Sequence, residues 1–262
     1  MNANLPPAVP PHARQDYIDS LRGVAAVMVV YYHMSGHLVA SGSLAENGIE
    51  SYIFRFIREW IDLGKIGVAV FFAVSGFVVP VTIMKRRGAP LRAFIINRFF
   101  RLYPVYWVSI FAAIPVLWWG VDRYVSFKVF IINVTMFQQF FGVENIQSLY
   151  WTLQIELIFY ILCAFMYRFG LLQSRNVVVT CSYLFLFAAV GLSIMRNISG
   201  VKLPVAVLIA LSLMFWGFTC RDWFLSCDRW SRLHGKLYAV VFLAVIPLIS
   251  LLAYNSDYGF RE

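Results

Sequence analysis

Long apolar runs separated by short polar ones dominate the chain. Seven of them, at roughly 21–40, 63–84, 102–119, 149–169, 177–195, 203–220 and 237–254, are each close to twenty residues long. A helix of that length crosses a hydrocarbon layer about 30 Å thick. An eighth stretch, "FKVFIINVTMFQQFFG" at 127–142, is shorter and carries Asn133, Gln138 and Gln139. It either crosses, re-enters or lies at the interface. The pattern predicts an all-α, polytopic transmembrane helix bundle with seven or eight membrane segments. The membrane domain spans 19–254, with polar tails at 1–18 and 255–262.

Composition strengthens this picture. Hydrophobic residues make up 61% and charged residues 13%, with a mean hydropathy of +0.72. Soluble domains run at about 45–50% and about 25%, so one globular core cannot hide the excess. The net charge of +9 does not point to nucleic acid, because the basic residues sit mostly between apolar runs, where they set orientation. Lys85, Arg86, Arg87, Arg92, Arg98 and Arg101 fall in one acid-free segment. The positive-inside rule makes that segment cytoplasmic and puts the N-terminus on the same side. The segment 221–236 also prefers the inside, which favours a non-spanning 127–142. Cys163, Cys181, Cys220 and Cys227 lack metal or redox spacing, and no disulfide framework is expected. The first 20 residues have no apolar core, so the first run serves as the insertion signal rather than a cleaved leader.

A few polar residues interrupt the apolar runs. His33 lies eleven residues after Arg22 on the first helix, which returns it to nearly the same face about 16 Å along the axis. A polar group at this depth is costly, so His33 is expected to face the bundle or a wet cavity. It is either a hydrogen-bonded neutral imidazole or a working group. With His37 it has a His-x3-His spacing, but no third ligand is evident and no metal is expected. Asp19 and Arg22 form a pair at the mouth of this helix. The second helix is dotted with small residues, Gly64, Gly67, Ala69, Ala73, Ser75 and Gly76. Such residues let backbones approach; Ser75 is structural or lines the site.

Arg98 and Arg101, three apart, share a face if helical. They are a phosphate clamp or simply topology signals, and Pro104 fits the first turn of the helix that follows. In "LYWTLQIELIFY" (149–160), Thr152, Glu156 and Tyr160 form one polar stripe at i, i+4, i+8. The buried Glu156 needs a partner, for which His33 or an arginine would serve. Trp151, Tyr103 and Tyr106 offer surfaces for sugar or adenine, or belong to an aromatic belt.

Taken together, "YIDSLRGVAAVMVVYYH", "GKIGVAVFFAVSGFVV", "NRFFRLYPVYW" and "YWTLQIELIFY" resemble acyltransferase family 3, the integral membrane O-acyltransferases. The resemblance covers residues 17–160, with a weaker likeness at "LSLMFWGF". It implies transfer of an acyl group, commonly acetyl from acetyl-CoA, to a hydroxyl of a carbohydrate, or in some members of an antibiotic or lipid. It also implies a bacterial inner-membrane location, acyl-CoA as donor substrate with no bound cofactor, and membrane lipid as a partner.

By the same resemblance His33 matches the essential first-helix histidine, and Arg98 and Arg101 the Arg-x-x-Arg motif. Glu156 matches the glutamate of Trp-Ser/Thr-Leu-x-x-Glu, and Arg22 the arginine that opens the first helix. His33 is then the general base on the acceptor hydroxyl or carries the acetyl group covalently. Glu156 orients the imidazole or binds the sugar, and the arginines hold CoA phosphates. Family members usually run to about ten helices, so the chain is expected to be C-terminally short relative to them. The competing function is a transporter or flippase for a polar substrate, in which the same residues bind or relay protons; a non-catalytic short homologue is the third.

Overall fold

The computed structural model describes residues 11–40, 52, 56, 62–84, 88–120, 124–226 and 228–253. Lys85, Arg86, Arg87 and Cys227 lie outside the described residues, as does the side chain of His37. Among the described residues there are eight α-helices and no strand. They are α1 (Pro11–Ala40), α2 (Leu63–Met84), α3 (Pro90–Gly120), α4 (Phe127–Val134), α5 (Tyr150–Arg168), α6 (Arg175–Ser199), α7 (Val205–Ser226) and α8 (Arg229–Ala253). Six of them, α2, α3, α5, α6, α7 and α8, are long and apolar enough to cross a membrane. The first expected span forms helix within α1 but is not among those six.

Three helices start well before the apolar pattern indicates, and α1 does so from Pro11 rather than about residue 21. α3 begins at Pro90, so Arg92, Arg98 and Arg101 are helical rather than in a loop, and Pro104 sits in the helix interior instead of its first turn. Proline at the first position costs nothing there, because that N–H has no helical acceptor. α8 begins at Arg229, because Asp228 caps it. The Asp228 carboxylate accepts from the Ser231 N–H at 3.0 Å and the Ser231 hydroxyl at 2.8 Å. It also pairs with Arg175 at 2.9 Å, tying the start of α8 to the start of α6. The Ser231 hydrogen bonds, helped by Arg175, hold this carboxyl below the usual carboxylate range.

The chain divides into two compact units, residues 1–74 and 75–262, and the division falls within α2. In the first, glycines bring α2 against α1. A Cβ on Gly64 would lie 2.7 Å from the Tyr32 ring, and one on Gly67 would lie 2.8 Å from the Ala25 carbonyl oxygen. In the second, α6, α7 and α8 pack on one another, α3 packs on α5, and α5 on α7. Polar contacts fix the α7–α8 seam. Ser212 and Tyr238 share a hydrogen bond of 2.7 Å, and the Trp216 indole donates to the Gly235 carbonyl at 2.9 Å. Gly76 makes the tightest approach, its absent Cβ falling 1.8 Å from the Met214 carbonyl oxygen of α7.

The ambiguous 127–142 stretch does not cross. α4 has eight residues, about 12 Å of helix, and a 3₁₀ turn at Gln138–Phe141 follows it. The last carbonyls of a helix lack partners within it, and here α3 supplies donors. Tyr106 donates to the Asn133 carbonyl at 2.6 Å, Trp107 to Val134 at 3.0 Å and Tyr103 to Thr135 at 3.0 Å. The fully buried Asn133 side chain donates to the Val129 and Glu144 carbonyls and accepts from the Ile146 N–H. The amide that made a crossing doubtful is the staple of the folded-back segment. Asn133→Ala is expected to cost about 1–3 kcal/mol, the penalty for buried groups left unpaired. Thermal unfolding in detergent measures this, and an unchanged midpoint would show that the segment is held by other means.

With α4 folded back, four spans separate the start of α3 from the end of α7. An even number returns the chain to the same end. The end of α2, the start of α6 and the end of α7 accordingly meet around one cleft.

Candidate active site

The second unit holds a buried polar cluster between α3 and α5. Arg98, 7% exposed, lies eight residues after Pro90, about 12 Å along α3. Tyr160 lies eight residues before Arg168 on α5, at a matching depth from the same end. The Arg98 guanidinium lies 5.1 Å from the Tyr160 ring centre and 5.4 Å from that of Phe94, and the two rings meet edge to face at 6.1 Å. Desolvated cation–π contacts of this kind contribute up to about 2 kcal/mol. Nη2 donates to the Thr82 hydroxyl at 2.6 Å, which passes its own proton to the Val79 carbonyl at 2.7 Å.

Tyr160 then links this cation to an anion. Its hydroxyl donates to Oε1 of Glu156, one turn back on α5, and Glu156 is also buried. The stripe of Thr152, Glu156 and Tyr160 thus closes on itself at its inner end. Thr152 turns its hydroxyl back to the Leu149 carbonyl at 2.9 Å. An arginine buried in lipid is costly unless paired or hydrogen-bonded. Here a threonine and two aromatic faces shoulder that cost, with the carboxylate one side chain away.

The cluster separates the two expected arginines. Arg98 points into the bundle, whereas Arg101, less than one turn on, is exposed. The other N–H groups of Arg98 have no hydrogen-bond partner among the described residues. Tyr106 is 1% exposed, its hydroxyl given to Asn133, and so offers no surface to a sugar or adenine. Trp151 is half-buried at the head of α5.

Against this geometry a comparison of the sequence with protein families is decisive. The model of an acyltransferase domain, that of acyltransferase family 3, matches residues 15–261. The chain belongs to this family. It is therefore a membrane acyltransferase, and the match takes in nearly its whole length. No curated protein and no solved structure matches it.

The acyltransferase carries its remaining expected residues as follows. In the first unit Asp19 and Arg22 pair at 3.7 Å with the Asp19 side chain 75% exposed, a geometry that contributes little. His33 is exposed, with its ring edge-on to Tyr32 at 5.7 Å, so the imidazole is not sealed in a core. In the second, Ser75 is fully buried, and its hydroxyl has no hydrogen-bond partner among the described residues. It packs one residue from the Gly76 close approach.

Sequence reasoning missed Thr82, Phe94 and Gln154. Phe94 precedes Arg98 by one helical turn, a visible spacing. Thr82 carries no such signal, being sixteen residues away on another helix. Gln154 is 2% exposed, with neither amide atom bonded to a described residue. It stands two residues from Glu156.

Proposed function

We propose that this acyltransferase transfers an acetyl group from acetyl-CoA to a hydroxyl of a carbohydrate or lipid-linked acceptor at the bacterial inner membrane. Its N-terminus and basic loops then face the cytoplasm, where the donor is found. The observation that carries this is the family match over residues 15–261, which takes in His33, Arg98, Arg101 and Glu156 together.

His33 acts as general base. A free imidazole has a pKa of about 6.5, suited to taking a proton at neutral pH. It removes the acceptor hydroxyl proton as the oxygen attacks the thioester carbonyl. The C–O bond forms, the C–S bond breaks, and CoA leaves as its thiol after taking up a proton. Arg101 from the surface and Arg98 from behind it hold donor phosphates through their planar forks. Glu156, held by Tyr160, binds a hydroxyl of the sugar. Its hydrogen bond from Tyr160 on the same helix and its burial support a fixed rather than a mobile carboxylate.

The test is incubation of the purified protein in nanodiscs with acetyl-labelled acetyl-CoA and a panel of sugars and lipid-linked sugars. Label entering an acceptor and released by mild base marks an O-acetyl ester. Folded protein that labels no acceptor, while longer acyl-CoA donors do label one, would overturn the acetyl assignment.

A further inference from the structure

A second charged site lies apart from the Arg98 cluster, on the other side of the last turn of α2. Val81 and Met84 line it from α2, Gln173 from the α5–α6 connection, Arg175 from the start of α6, and Arg221 and Asp222 from the end of α7. The cleft holds about 290 Å³, at the small end of ligand pockets and closer to a headgroup than to a whole nucleotide cofactor. Its floor is apolar, with Val81 and Phe218 buried. Its rim is ionic.

The ionic groups differ in their commitments. Arg175 is shared between the Asp228 carboxylate at 2.9 Å and the Trp230 ring at 5.7 Å. Arg221 lies over the Phe77 ring at 5.9 Å. Neither Arg221 nor its neighbour Asp222 makes a hydrogen bond or close ion pair with a described residue. A half-buried cation and a half-buried anion therefore face one small cleft side by side. They attract one another, and Arg175 also acts on Asp222, but among the described residues their hydrogen-bonding groups are left open to a ligand.

A bare phosphate would satisfy Arg221 and be repelled by Asp222, and an amine alone would do the reverse. A phosphate joined to a primary ammonium through two carbons satisfies both. The cleft lies where three helix ends meet, the level at which headgroups sit. We propose that it binds the headgroup of an amine-bearing phospholipid, of the phosphoethanolamine type, with its phosphate on Arg221 and Arg175 and its ammonium on Asp222. The primary amine matters because Asp222 needs N–H donors at short range, which a trimethylated amine lacks. Such a lipid ties the ends of α2, α6 and α7 together. This inference is independent of the acyl donor and acceptor.

Native mass spectrometry of the full-length protein, released from detergent with equal amounts of three lipids of identical chains, tests it. The wild type is expected to retain phosphatidylethanolamine at least tenfold over phosphatidylcholine and phosphatidylglycerol. Asp222→Asn should bring the ethanolamine and choline lipids level, and Arg221→Gln should lose all three. Equal retention of the three by the wild type would overturn the proposal whatever the variants do. Unchanged selectivity in both variants would move the lipid elsewhere. Soluble phosphoethanolamine added at the lipid's concentration should not displace it, and full displacement would assign the cleft to a soluble ligand instead.

Discussion

Gly76→Ala yields no correctly assembled protein. A Cβ at this position would lie 1.8 Å from the Met214 carbonyl oxygen, 2.5 Å from its carbonyl carbon and 2.7 Å from its Cα. All three are backbone atoms, so no side chain can swing away to make room. α2 would have to part from α7, which is packed on α6 and α8. Ordinary overpacking costs about 1–3 kcal/mol because side chains absorb it, and here a helix must move. The cost therefore lies above that range. Size-exclusion profiles and membrane yield of Gly76→Ala beside the wild type measure it. The same substitution at Gly191, where an added Cβ would meet no atom of the described residues within 4 Å beyond its own helix backbone, serves as the control and is expected to be tolerated. A Gly76→Ala protein that elutes and melts like the wild type would show that the α2–α7 contact is looser than described.

His33→Ala is expected to lower acyl transfer by about 10²–10⁴-fold, the usual contribution of a general base. Its melting midpoint should hardly move. The imidazole is exposed, so truncation leaves no cavity. Loss of activity with intact folding is the signature of a working group, whereas loss of both would mark a structural histidine. Base-labile label in the acceptor measures the first and thermal unfolding the second. Transfer retained within threefold would remove His33 from the chemistry.

The elements of this fold were legible where one physical signal decided them. α2 coincides with its apolar run, since no charge interrupts it between Lys65 and Met84. α1, α3 and α8 begin ahead of their apolar runs, because helical backbone continues through Asp19 and Arg22, through Arg92, Arg98 and Arg101, and through Arg232 and Lys236, regardless of side-chain charge. The 127–142 stretch was open because its polar residues suit several depths. What settles it is three donors from α3, and hydrogen bonds to main-chain carbonyls leave no pattern in a sequence.

The site shows the same division. Glu156 and Tyr160 stand at i and i+4, so their pairing was visible as a stripe, although the expected partner was His33 or an arginine rather than the tyrosine. The burial of Arg98 against the exposure of Arg101 was not visible. Three residues apart on a helix they share a general face, and only the helix packed alongside decides which is covered. Tyr106 and Tyr103 look alike in sequence, and one is sealed by Asn133 while the other keeps a solvent edge.

The central claim is that this protein breaks a thioester and forms an ester. CoA thiol release from acetyl-CoA by the purified protein in nanodiscs, with and without acceptor, tests it most directly. Acyl transfer predicts release that rises with acceptor and stops in His33→Ala. Movement of the acceptor across the bilayer with no CoA release, from protein shown to be folded, would contradict it.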